Sequence, residues 1–105
     1  MSGRGSCAYG REKRGGGVNR FKFLPSVHKS YEQQGEIFFA CRNYLRQPDE
    51  VREKIDRLCR EAGGEYAEAL RAYLTTRSSW ERVTMEYHLS DATLHRIRRQ
   101  FYELW

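Results

Sequence analysis

Two arginines three residues apart, Arg96 and Arg99, have the clearest chemical use in this chain. A guanidinium can bond a guanine edge or a phosphate through two parallel N–H donors. At 100° per residue, Leu94, Ile97, Phe101 and Leu104 mark the inward side of a helix. Ala92, His95, Arg96 and Arg99 then fall on the opposite side. Such a face either reads nucleic acid or stands solvated as an ordinary charged surface. No other constellation has the makings of an active site. There is no Ser/His/Asp spacing, no glycine-rich loop between a strand and a helix, and no carboxylate pair away from solvated helix faces. The chain is therefore expected not to be an enzyme and to need no cofactor. Cys7, Cys41 and Cys59 form no CxxC pair and have no metal-ligand spacing with His28, His88 or His95. No metal site is expected, and the thiols read as free.

The positive charge sits away from these arginines. Of 105 residues, 19 are Lys or Arg and 14 are Asp or Glu, a net +5. Residues 1–35 carry +5, residues 36–76 carry −1 and residues 77–105 carry +1. Residues 1–17 hold Gly3, Gly5, Gly10 and Gly15 to Gly17, with Arg4, Arg11, Lys13 and Arg14 between them. Almost nothing there can enter a core, so residues 1–17 are expected to form a flexible basic tail. It is either a set of nonspecific phosphate contacts or a solvated terminus.

The longest unbroken apolar run, Ile37 to Cys41, is far below the roughly 20 residues that a bilayer needs. The first 20 residues contain no apolar segment of the kind a secretory signal requires. A cytoplasmic protein with no membrane partner is the expectation.

The elements that must position Arg96 and Arg99 read as helices, and residues 18–105 as one all-helical domain. Phe21, Phe23 and Leu24 are followed by Pro25, and Ser26 can cap what comes next. Residues 36–46 place Ile37, Phe38, Cys41, Tyr44 and Leu45 on one helix face, where core is the commoner fate of aromatic residues. Pro48 opens a second helix with Asp49 and Glu50 in its first turn, and Val51, Ile55, Leu58, Cys59 and Ala62 form its stripe. Gly63-Gly64 ends it. Residues 65–75 repeat the pattern with Tyr66, Ala69, Leu70, Tyr73 and Leu74. Ser78 or Ser79 can cap a short helix over residues 80–88, and Ser90 caps the last helix, with Asp91 in its first turn. No alternating β-branched run competes, so the fold class is all-α: a small helical bundle.

A short helix, a tight turn and a second helix over residues 80–104 form the layout of a helix-turn-helix. Counting Trp80 as the first place, Val83, Tyr87, Leu89, Leu94 and Ile97 occupy the fourth, eighth, tenth, fifteenth and eighteenth places, all apolar. This spacing resembles the helix-turn-helix DNA-binding family. The ninth place, usually glycine in that family, is His88 here. The region also resembles the part of sigma factors that reads the −35 element, and small phage transcription regulators of the RinA and ArpU sort. Thr93-Leu94-His95-Arg96 and Arg99-Gln100-Phe101-Tyr102 look at home in the latter. The resemblance covers about the last 40 residues. It implies a C-terminal trihelical unit, with residues 65–74 as its third helix. It also implies a sequence-specific transcription regulator, phage-like or bacterial, that binds double-stranded DNA through Ser90, Asp91, Ala92, His95, Arg96 and Arg99. The alternative is an adaptor with a sigma-like fold that touches RNA polymerase. The oligomeric state is open, a homodimer being one option.

Overall fold

The computed structural model describes residues 20–105. The expected tail, with Arg4, Arg11, Lys13 and Arg14, and also Cys7, lies outside the described residues. Five α-helices make up the fold: α1 (Tyr31–Arg42), α2 (Asp49–Gly63), α3 (Ala67–Thr75), α4 (Trp80–Glu86) and α5 (Asp91–Leu104). Single 3-10 turns at Tyr44–Arg46 and Gly64–Tyr66 precede α2 and α3. Among the described residues there is no strand, and the fold is all-α.

α2 is the central element, packed along both α3 and α5, while α3 also meets α1 and α4. Its expected stripe is buried at Ile55, Leu58, Cys59 and Ala62, with Val51 at the margin. Facing it are Leu70 and Leu74 of α3 and Leu94, Ile97 and Phe101 of α5. The three C-terminal helices therefore share their core with α2 rather than closing on themselves. Gly64 ends α2 at φ 55° and ψ −123°, a positive-φ conformation that favours glycine but is not the left-handed helical cap expected there. Burial lifts the Cys59 thiol to about 12 and the Cys41 thiol higher still, so both are protonated core side chains at neutral pH.

α1 departs from expectation at both ends. It begins at Tyr31, not Glu36, because Ser30 and Gln33 form a capping box. The Ser30 hydroxyl accepts from the Gln33 N–H at 3.1 Å, and the Gln33 amide oxygen accepts from the Ser30 N–H at 2.9 Å. Ser30 thus takes the capping place expected of Ser26. The helix stops at Arg42, where the Asn43 side chain donates to the Phe39 carbonyl at 3.0 Å. The 3-10 turn that follows swings Leu45 outward to 85% exposure, so it does not share the buried face of Ile37 and Cys41. Phe39 is likewise 54% exposed, and Phe38 only half-buried. Pro48 caps α2 from outside, and Asp49 is its first helical residue.

Two polar arrangements fix how the helices sit. Gln34 is fully buried on α1. Its oxygen accepts from the Leu24 N–H at 2.8 Å, and its amide nitrogen donates to the carbonyls of Leu24 at 3.1 Å and Lys29 at 3.0 Å. The segment before α1 is thereby pinned to the helix. Between α2 and α3, Arg71 donates to Asp56 at 3.0 Å and to the Tyr44 hydroxyl at 3.1 Å, and that hydroxyl donates to Asp56 at 2.9 Å.

Candidate nucleic-acid interface

The helix pair α4–α5 is built from its caps. Ser79 accepts from the Arg82 N–H at 3.1 Å, and Ser90 accepts from the Thr93 N–H at 3.1 Å. Each satisfies one of the free donors of a helix start. α4 ends at Glu86, two residues before the expected end, because Tyr87 and His88 form the turn. His88 takes φ 57°, alone among the described non-glycine residues in a left-handed conformation. The Leu89 N–H donates to the Thr84 carbonyl at 3.1 Å across it, the 6→1 bond of a Schellman motif. Leu89 then plugs the angle between the helices as a buried residue. The ninth place of the helix-turn-helix pattern therefore has the backbone that glycine would supply, built with histidine. His88→Gly should raise stability by roughly 1 kcal/mol by removing the Cβ penalty. A denaturant midpoint that falls instead would mean that the imidazole itself holds the turn.

α5 buries Leu94, Ile97 and Phe101 as expected, but Leu104 is 38% exposed while Tyr102 is buried. The inward arc is rotated toward Arg98 and Tyr102, which line a small cleft with Leu24, Phe38, Tyr73 and Leu74. Ser90, Asp91, Ala92, His95, Arg96 and Arg99 are all surface residues. They do not form one uniform set.

Ala92, Arg96 and Arg99 lie furthest from the core side. Among the described residues neither arginine has an ion pair. His95 lies at the rim instead. Its ring sits 4.3 Å from that of Trp80, and its Nδ1 is 3.2 Å from an Arg98 Nη. A guanidinium has only donors, so Nδ1 must accept and the neutral ring carries its proton on Nε2. Partial burial and the Arg98 charge both hold the His95 pKa below its ordinary value. At neutral pH it is therefore a neutral donor at the edge of the Arg96 and Arg99 face. Asp91 accepts from the Trp80 Nε1–H at 2.9 Å, clamping the first residue of α4 to the first turn of α5. The Ser90 hydroxyl is committed to its cap and to Thr93.

The residue missed at this face is Arg98. Its guanidinium lies 4.8 Å from the Trp80 ring and 6.0 Å from the Tyr73 ring, so it ties α3, α4 and α5 together. The basic run Arg96-Ile97-Arg98-Arg99 marked it, but the aromatic partners come from elements distant in sequence. No protein-family model, curated protein or solved structure matches this chain.

Proposed function

We propose that the chain is a sequence-specific DNA-binding transcription regulator of bacterial or phage-like type, acting in the cytoplasm through α4 and α5. The observation that carries this reading is the turn between them. A left-handed His88, a buried Leu89 and two serine caps set α5 so that Arg96 and Arg99 project together, with no acidic partner among the described residues. α5 enters the major groove, where Arg96 and Arg99 reach neighbouring base pairs, or one base and one phosphate. His95 Nε2–H adds a donor at the rim. Trp80, Asp91 and Arg98 hold the reading helix without touching DNA. No helix is long and apolar enough to cross a membrane among the described residues.

The test is selection of bound duplexes from a random pool, followed by titration of Arg96→Ala and Arg99→Ala on the enriched sequence. Loss of an arginine that reads guanine should cost roughly 1–3 kcal/mol and relax the preference at one position. Loss of a phosphate contact should weaken all duplexes alike and flatten the salt dependence by about one charge. If the double variant binds every duplex as the parent does, α5 is not the reading helix. Binding to RNA polymerase by that variant would then mark the chain as an adaptor.

A further inference from the structure

His95 stands on the rim of α5 with an acid on one side of it and a base on the other. Asp91 lies four residues before it and Arg98 three residues after it, so both are its neighbours on the helix surface. Arg98 donates to His95 Nδ1 at 3.2 Å. Asp91 accepts from the Trp80 Nε1–H at 2.9 Å through one carboxylate oxygen, and the other oxygen has no partner among the described residues. The Trp80 ring meets both the imidazole, at 4.3 Å, and the Arg98 guanidinium, at 4.8 Å.

This arrangement suits one protonation state only. A guanidinium has donors alone, so Arg98 needs the lone pair on Nδ1. A second proton on the ring takes that lone pair and sets two cations against each other. The same proton gives the ring a donor on each nitrogen, and Asp91 is an acceptor one helix turn away. The charged groups that act on the ring are Arg98, Asp91 and, from the segment before α1, Lys22, while α4 presents the uncharged Trp80 ring. Partial burial, Arg98 and Lys22 oppose the charged form and Asp91 favours it, with the balance on the neutral side. His95 therefore takes its second proton only below the ordinary histidine range. Its side chain is exposed, and Arg99, four residues on, is its neighbour on the next turn.

We propose that His95 is a proton switch on α5: neutral, it holds Arg98; protonated, it releases Arg98, turns to Asp91 and adds a third positive charge to the face of Arg96 and Arg99. Histidine suits this task because its charge changes within a mildly acidic range. The exchange of Arg98 for Asp91 belongs to the helix joint alone. Its effect on duplex binding rests on the DNA-reading role proposed above: acid strengthens the attraction to phosphate, without adding a base contact.

The test follows the His95 imidazole and the Arg98 Nε–H of the full chain by nuclear magnetic resonance, from about pH 8 to about pH 5. The Arg98 Nε is buried, which slows exchange of its proton with water. Both signals should move with one midpoint. Arg98→Met should raise the His95 midpoint, since it removes a charge that opposes protonation. Asp91→Asn should lower it while keeping an acceptor for Trp80. Circular dichroism checks that each variant is folded. The duplex enriched from the random pool is then titrated at both ends of the pH range. Acid should tighten its binding to the parent several-fold and steepen the salt dependence by about one charge. His95→Gln keeps an acceptor for Arg98 at every pH, so its binding should be the same at both ends although His28 and His88 remain. The proposal is overturned if Arg98 does not respond when His95 titrates, or if neither charge variant moves the midpoint. It is also overturned if the parent binds the duplex equally at both ends, or if His95→Gln keeps the parent's full acid response. A parent that binds no duplex at any pH overturns the reading role of α5 instead, and the exchange at His95 is still decided by its own resonances.

Discussion

Phe101→Ala is expected to lower stability by about 3–5 kcal/mol and Leu94→Ala by about 2–5 kcal/mol. Both side chains are fully buried, about two turns apart on the α5 face that meets α2. Removing either takes apolar atoms from the packed core and leaves a cavity that rigid neighbours cannot fill. Phe101 has the larger expected effect because its ring also contacts Tyr102 and Trp105, with centroids 6.2 and 6.0 Å away. A domain of this size is stable by only about 5–15 kcal/mol, so either change removes a large share of the total. Thermal melting should show losses of about 4–8 °C for each kcal/mol. Melting unchanged in either variant would mean that α5 is rotated about its axis from the position described. Arg96 and Arg99 would then no longer share a solvent face.

Gln34→Leu should cost roughly 3 kcal/mol although it adds apolar surface to a buried position. The amide of Gln34 satisfies three backbone groups, the N–H and carbonyl of Leu24 and the carbonyl of Lys29. A buried polar group left without a partner costs about 1–3 kcal/mol, and leucine abandons all three. Gln34→Glu should be nearly as harmful. A carboxylate can still accept from Leu24 but cannot donate to either carbonyl, and burial penalises its charge. The damage should be local first. Amide exchange at Leu24 should accelerate well before exchange in α2, because the segment ahead of α1 loses its pin while the α2 core is untouched. Uniform acceleration through the whole domain would instead make Gln34 part of the global core.

The C-terminal helices were legible because each carries its own punctuation. Ser79 and Ser90 are caps, and Val83, Leu89, Leu94 and Ile97 are apolar at the spacing that a bent helix pair needs. The body of α2 was equally clear from its stripe and its terminal glycines. α1 was harder for a physical reason. Its start is set by Ser30 and Gln33, a capping pair visible in the sequence but placed in polar surroundings with no apolar periodicity to support it. Gln34 is buried among polar neighbours, a fate uncommon for glutamine, and its backbone partners lie up to ten residues away. Leu45 fits the inward stripe of Ile37 and Cys41 on paper, but its exposure follows from where α1 ends. At the candidate interface, the roles of Arg96 and Arg99 could be read from helix phase alone. The setting of His95 and Arg98 could not, since it depends on Trp80 and Tyr73 arriving from other helices.

The central place of α2 has a consequence for the order of events during synthesis. Its apolar stripe must wait for α5, which is made after the other four helices. Until α5 leaves the ribosome, Ile55 and Leu58 lack one wall of their core. The contact between His28 and Glu103 of α5, with the His28 N–H 3.0 Å from the carboxylate, spans 75 positions in sequence and likewise waits for that helix. The helix proposed to read DNA is thus also the keystone of the domain. A chain truncated before Phe101 is therefore expected to lack a cooperative melting transition, because Ile55 and Leu58 lose the α5 wall of their core.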